Sequence, residues 1–435
     1  MRFFYDIAFF VIAVLSLPAF IGRLKQADCA RKLLGQRLGF LNQRLRTAMI
    51  GRRVLWVHAV SVGEVMAVEN FVCKILAAFP GYHVVLTTVT PTGQKIAQKI
   101  AGDRVTVMYY PFDFSFSVRS FLHALAPDCI ILAETEIWPN LLTEASRAQI
   151  PVGIVNARLS PKSASRYGRF GFLFRPLFEK LDFVLVQTEE DAARFRALGT
   201  SEASVSVAGN MKYDNVNLQL EAAPLAERWR RQLGVGPQER VVLAGSTHPG
   251  EETLLAGAVS RMREKGIPAR LVIAPRHVER CPKILKAFEK QDFQTVRFSR
   301  LPEGGSWEVM LVDQLGILKE LYAMANVVFM GGSLVPRGGQ NPIEPAAFRR
   351  AVVHGPHVFN FQKVYQILDQ EGGAVPVRDA DELIFTLARL LAHPSELSAL
   401  GSNAYEAVCS LRGATARTVE WLARFLDPEL QLVKG

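Results

Sequence analysis

Between Val54 and Leu76 the chain reads VLWVHAVSVGEVMAVENFVCKIL: an apolar run rich in β-branched and aromatic residues stops at Ser61-Val62-Gly63-Glu64, and apolar residues at helical spacing follow. This alternation recurs along the chain and restricts it to one class of fold. Strands buried on both faces read as continuous apolar runs, and parallel strands need helical crossovers between them, so the pattern requires an α/β fold with helices on both sides of a parallel sheet. The first series predicts strands at Val54–Val60, His83–Val89, Val105–Tyr110, Cys129–Ala133, Val152–Asn156, Phe183–Gln187 and Val205–Ala208. Helices are expected at Val65–Ala78, Gly93–Ile100, Ser117–Leu125, Leu141–Ala148, Phe172–Glu179 and Glu190–Ala197. A polar stretch without strand signals, residues 215–238, reads as a linker to a second series. That series has strands at Arg240–Ala244, Leu271–Ala274, Thr295–Phe298, Val309–Val312, Val327–Met330, Val352–His354 and Ala374–Val377. Its helices fall at Glu251–Glu264, Leu318–Met324, Pro342–Phe348, Asp381–Leu391 and Glu396–Leu411, and a last helix near Ala416–Phe425 is placed to cross back to the first domain. Two doubly wound domains facing each other across a cleft are the expected architecture.

The N-terminus has a different character. Phe3–Gly22 is almost wholly apolar and about the length a bilayer span needs, with Asp6 and Pro18 as its interruptions. Arg23 to Arg53 then holds nine Lys or Arg against the single acid Asp28, which carries nearly all of the net charge of +10. Positive charge after the apolar segment favours an anchor with the remainder on the cytoplasmic side; a cleaved signal peptide usually carries its charge before the apolar core. The basic stretch suits an anionic lipid surface. Without aromatic interleaving or a nucleic-acid module, nucleic acid is not an expected partner. Five scattered cysteines with no Cys-x-x-Cys fit reduced thiols and offer no cysteine-based zinc site. Neither series opens with the glycine fingerprint of dinucleotide folds, and the chain has no P-loop.

Parallel sheets open their ligand crevice at the carboxyl ends of the strands, and polar residues gather just past those ends. Glu64 follows the first strand, Thr90-Pro91-Thr92-Gly93 the second, Glu134-Thr135-Glu136 the fourth, Arg158 the fifth and Lys212 the seventh. Such acids can serve as a general base or orient a hydroxyl, with Arg158 and Lys212 as charge partners. On spacing alone Glu64 reads first as the third position of a capping box begun by Ser61, and Lys212 reads equally as a solvated surface lysine. In the second series, Gly245-Ser246-Thr247-His248-Pro249-Gly250 offers backbone amides and a helix N-terminus to an anion, and Arg276-His277 can pair with phosphate or carboxylate. Gly331 to Gly339 holds four glycines in nine positions, which lets something approach the backbone closely. Asn341-Pro342-Ile343-Glu344 follows, with Glu344 able to accept from a ribose diol or to act as a helix-dipole partner. Acids in one domain and an anion and ribose pocket in the other suit a sugar transferase with a nucleotide-sugar donor.

WVHAVSVGE, TTVTPTGQK, ETEIWPN, IVNARLS, QTEEDAARFRALG, GNMKYD, AGSTHPGEE, IAPRH and GGSLVPRGGQNPIEPAAF occur in that order. In these motifs the chain resembles the 3-deoxy-D-manno-oct-2-ulosonic acid (Kdo) transferases of Gram-negative bacteria, a similarity that runs to about Pro356. The resemblance implies a GT-B fold, a CMP-Kdo donor, a lipid A precursor as acceptor, inverting transfer without metal or cofactor, and a place at the cytoplasmic face of the inner membrane. It implies an anchor (1–22), a basic membrane-proximal segment (23–53), an acceptor-binding domain (54–214), the linker, a CMP-Kdo-binding domain (239–415) and a returning C-terminal helix (416–435). By motif position, Glu64 matches the general base. Glu134 and Lys212 match positions assigned to transition-state stabilisation, and Pro275, Arg276, Leu315, Gly316, Ile317, Asn341, Pro342, Ile343 and Glu344 match positions that hold CMP. Ile317 stands where many members have an acid, so its contact must be through backbone or apolar surface; Met211, Tyr213 and Val278 are further variants, and none alters Glu64. Another GT-B nucleotide-sugar transferase or epimerase, or a catalytically silent membrane scaffold, are the alternative readings.

Overall fold

The structure, a computed structural model, describes residues 30–215, 222–264, 266–291, 293–301 and 306–426. The expected anchor Phe3–Gly22 lies outside the described residues. Among the described residues no helix is long and apolar enough to cross a membrane.

Two compact units result, one formed by the chain through Asn215 together with the chain from Arg412, the other by the chain between. In the first unit, seven strands form one parallel sheet: β1 (Arg53–His58), β2 (Tyr82–Thr88), β3 (Val105–Tyr109), β4 (Cys129–Ala133), β5 (Val152–Ala157), β6 (Phe183–Val186) and β7 (Val205–Val207), ordered β3-β2-β1-β4-β5-β6-β7. The alternating pleat separates two cores. Val54 and Trp56 of β1 with Ile130 and Leu132 of β4 pack under helices Ser115–Leu125, Pro139–Arg147 and Gly171–Phe178. Leu55 and Val57 with Ile131 and Ala133 face helix Val62–Ala78, whose buried Val65, Val68, Val72 and Ile75 recur at three and four residues. Each such fully buried aliphatic side chain stabilises the unit by about 1.5–3 kcal/mol. Helix Ala414–Leu426 lies against this second face through Ala414, Val419 and Leu422, so the chain's last described element completes the first core.

The second unit repeats the plan with β8 (Arg240–Thr247), β9 (Ala269–Pro275), β10 (Thr295–Arg297), β11 (Val309–Leu311), β12 (Val327–Met330), β13 (Ala351–His354) and β14 (Ala374–Pro376), all parallel and ordered β10-β11-β9-β8-β12-β13-β14. Helices Glu251–Glu264, Cys281–Glu289 and Ala380–Ala392 bury one face of this sheet. Both sheets have a switch point, where consecutive strands leave in opposite directions: between β1 and β4 in the first, between β8 and β12 in the second. Ligand crevices of open α/β sheets form there, beyond the carboxyl ends of the strands.

All fourteen expected strands are present, two with the expected ends and the others with ends shifted by at most three residues. The linker expectation needs correction, because Ala222–Gln232 is a helix that buries Trp229. The indole N–H donates to Glu320 of the second unit at 3.2 Å.

Candidate active site

The two strands at the first switch point deliver the acids. His58 of β1 pairs in register with Leu132 of β4, so the turns that follow lie side by side. One carries Ser61 and Glu64, the other Glu134 and Glu136. Glu64 is the third residue of helix Val62–Ala78 and is only 9% exposed. Its Oε2 accepts from the Val60 amide at 2.8 Å and its Oε1 from the Ser61 hydroxyl at 2.9 Å. A capping box is thus only half made. The carboxylate reaches back over the helix start, but Ser61 caps no helix amide with its side chain and gives its hydroxyl to Glu64. Burial raises the Glu64 pKa above the ordinary carboxylate range, against the pull of those two hydrogen bonds; Glu134 raises it further and Lys212 opposes the rise. Two bonds leave acceptor capacity on each carboxylate oxygen, so a hydroxyl can still approach.

Glu134 has φ +58°, a left-handed conformation that a non-glycine residue adopts at a cost of order 1 kcal/mol. Its amide donates to Val155 O at 3.0 Å, and its Oε1 accepts from Lys212 Nζ at 2.6 Å. Lys212 is therefore ion-paired, although its side chain is 44% exposed. It sits on the 3₁₀ turn Met211–Asn215, held in place by Asn156 at the end of β5, whose Oδ1 accepts from the Met211 amide at 3.0 Å. Asn156 is fully buried with φ +53°, which Asn tolerates better than most residues. Arg158, expected as a charge partner, makes no ion pair among the described residues; its carbonyl accepts from Thr135 Oγ1.

Glu136 completes the cluster. Burial, with Glu64 and then Glu134 repelling its charge, pushes its pKa up to about 7, while the neighbouring Trp138 indole pulls the other way. Three carboxyl groups therefore share one ammonium, and Glu136 is protonated in an appreciable fraction of molecules at neutral pH. The sequence signalled Glu136 only as the second acid of ETE, and Asn156 only as a strand-end residue.

In the second unit the matched positions all follow strand ends of one sheet. Pro275 ends β9 and Arg276 is exposed after it; Leu315, Gly316 and Ile317 follow β11, with Leu315 83% exposed and Gly316 at φ +88°. Asn341 and Pro342 follow β12, and the Asn341 side chain accepts from the Ile343 amide at 3.2 Å, fixing the start of helix Ile343–Ala347. Burial raises the pKa of Glu344, and Lys319, on the short helix Leu318–Leu321 that follows the 315–317 turn, opposes the rise.

The expected amide cradle is already occupied. Glu251, fully buried at the start of its helix, accepts from the amides of His248 (2.9 Å), Gly332 (2.8 Å), Ser333 (3.2 Å) and Leu334 (3.1 Å). A side chain of the protein itself thus takes the place foreseen for a ligand anion. The glycines likewise answer to the fold, since a Cβ on Gly331 would stand 2.4 Å from Ser246 O and one on Gly338 2.5 Å from Asn360.

Solved structures share this plan. The UDP-GlcNAc 2-epimerase of Neisseria meningitidis bound to UDP-GlcNAc aligns over 86% of this chain and 100% of its own, with TM-score 0.56 at 15% identity. A glycosyltransferase from Rickettsia africae aligns over 88% and 100%, with TM-score 0.57 at 10% identity. These likenesses establish the fold class, GT-B. Sequence carries the assignment further: residues 32–215 match the family model of 3-deoxy-D-manno-octulosonic-acid transferase (kdotransferase). The 3-deoxy-D-manno-octulosonic acid transferase of Haemophilus influenzae is 33% identical over 434 residues, 98% of this chain and 99% of the relative. That of Bordetella pertussis is 32% identical over 382 residues, covering 86% and 87%. The chain belongs to the Kdo transferase family and is a glycosyltransferase.

Proposed function

We propose that this protein transfers Kdo from CMP-Kdo to a hydroxyl of a lipid A precursor, with inversion and with Glu64 as general base. The acceptor oxygen bonds to the anomeric carbon as the bond from that carbon to the CMP phosphate breaks, and the acceptor proton passes to Glu64. The observation that carries this reading is a desolvated carboxylate, fixed by Val60 and Ser61, at the switch point of the first sheet in a Kdo transferase. Lys212, steered by Glu134, supplies positive charge where charge builds in the transition state. Pro275, Arg276, Leu315–Ile317 and Asn341–Glu344 hold CMP, with Arg276 offsetting charge on the departing phosphate and Glu344 accepting from the ribose. The reading assigns no metal or cofactor. Residues 1–22 anchor the chain in the inner membrane and the basic segment to Arg53 lies on its cytoplasmic face, where lipid precursors are presented.

The test is Glu64→Gln, assayed by mass for Kdo added to a tetra-acylated lipid A precursor. Loss of a general base costs about 10²–10⁴-fold in turnover, and CMP affinity should be unchanged because Glu64 is not among the CMP residues. Turnover near the wild-type rate would sink the assignment. Omitting the acceptor separates the epimerase alternative, which needs only a nucleotide sugar. Deleting residues 1–22 should move the protein from the membrane towards the soluble fraction; identical partitioning with the intact chain overturns the anchor.

A further inference from the structure

The switch point of the second sheet lies between β8 and β12, and the residues just past these strands include two that the CMP-holding set leaves out. His248 follows β8 and Arg337 follows β12. The His248 ring sits on Gly332, where an added Cβ would come within 3.0 Å of His248 Cδ2 and 3.3 Å of Arg337 Cβ. A glycine at φ +71° thus lets the ring and the arginine stem meet over the same backbone position. His248 Nε2 is buried there without a hydrogen-bond partner. A bare lone pair costs less to bury than an N–H, so a neutral ring carries its proton on Nδ1, the nitrogen turned away from Gly332.

Charge around this ring is positive. Arg337, His277 and Arg280 all depress the His248 pKa, burial being the larger cause, and Glu252 is the carboxylate that opposes them. Glu252 in turn is taken up by Arg280 at 2.8 Å and by the Thr247 hydroxyl at 3.0 Å. Arg337 is exposed and has no acidic partner among the described residues; Arg276 after the adjacent β9 has none either. Glu251 takes the amides of His248, Gly332, Ser333 and Leu334, which leaves the side chains of His248 and Arg337 to meet an anion here.

We infer that His248 and Arg337 form an anion subsite that receives the carboxylate of the ulosonic acid sugar, beside the phosphate held by Arg276. This rests on the donor proposed above. CMP-activated 3-deoxy-2-ulosonic acid bears two anionic groups on one carbon, the phosphate ester and the carboxylate, and the second unit offers two guanidinium groups without acidic partners among the described residues, past β9 and β12, the strands on either side of β8. The Arg337 fork matches a carboxylate bidentately, and the imidazole N–H adds a third donor. Held in this way, the sugar cannot rotate about its bond to phosphate, and donors lacking the carboxylate are bound less well.

The experiment compares the KM for CMP-Kdo with the inhibition constant of CMP, which has the phosphate but not the sugar carboxylate. Arg337→Gln should raise the donor KM about tenfold, as expected for one lost charge-assisted interaction, and leave CMP inhibition within twofold; R337K should recover part of the loss. H248N should act in the same sense. A parallel rise in the CMP constant would make the bound anion the phosphate and overturn the assignment, as would an unchanged KM in R337Q. If the wild-type protein releases no CMP from CMP-Kdo, the proposed donor itself fails, an outcome distinct from normal wild-type turnover with an unaffected R337Q.

Discussion

Glu136 shows how the cluster at the first switch point is balanced. Its pKa of about 7 in the folded chain lies above the ordinary 4.5, so between these values the folded protein binds more protons than the unfolded one. Stability then falls as pH rises through this window and stays reduced above it. Full linkage over that interval is worth about 3 kcal/mol at most, and water on the open side of this half-buried group leaves about 1–2 kcal/mol. E136Q should therefore be more stable than wild type at pH 8 and no more stable at pH 4, as read from urea midpoints; an equal difference at both pH values would show that the carboxyl charge is not the cause. Glu64 and Glu134 were legible in the sequence because each follows an apolar strand run directly. Glu136 and Asn156 were not, because their importance lies in neighbours brought close only by the pairing of β1, β4 and β5.

At the scale of elements, Glu251 is an internal ligand for two loops at once. It joins the turn after β8 to the glycine run after β12, and burial raises its pKa while the amides it accepts from counter the rise. Glu251→Ala would leave four amides without their acceptor, at a cost of about 4 kcal/mol given that each unsatisfied buried donor costs 1–3 and the losses do not add fully. Hydrogen exchange at Gly332–Leu334 should accelerate sharply in this variant; retained protection there would mean that the loop is held by something else. Sequence suggested an open cradle because it displays glycines and amides but not which acid folds in among them. Regular elements were more readable, for physical reasons. Strands buried on both faces announce themselves as apolar runs, whereas helix Pro161–Arg169 buries no residue and so has no apolar stripe to detect. Helix Ala222–Gln232 buries only Trp229, and Cys281–Glu289 and Gln362–Gln370 bury three residues each, too short a period to stand out.

For the whole molecule, the alternating pattern foretold two sheets, but strand order and the return of the chain depend on contacts far apart in sequence. The return is fastened by Asp214, 7% exposed, whose two carboxylate oxygens each accept one amide of the far chain, Gly413 and Thr415, both at 2.6 Å. Arg417 Nε donates to Ala208 O at 2.9 Å, and Trp421 and Phe425 pack on Phe183 of β6 with ring centroids 5.0 and 5.1 Å away. A chain ending at Leu411 would thus uncover the part of one face of the first sheet that helix Val62–Ala78 does not cover, and leave Asp214 without those donors. Loss of Ala414, Val419, Trp421, Leu422 and Phe425 removes about 5 kcal/mol or more of apolar burial. Opening of β6 and β7 should become more than about a thousandfold easier, since each 1.4 kcal/mol is tenfold. Hydrogen exchange resolves the outcome by segment: amides of Phe183–Val186 lose protection, while those of β8, β9 and β12 keep it because their core lies wholly within the second unit. D214N should fall between the two, since its amide keeps one acceptor oxygen where the carboxylate has two. Full protection of β6 in the truncated chain would mean that the first sheet does not depend on the returning helix, and that the helix is an appendage and not part of the first unit's core.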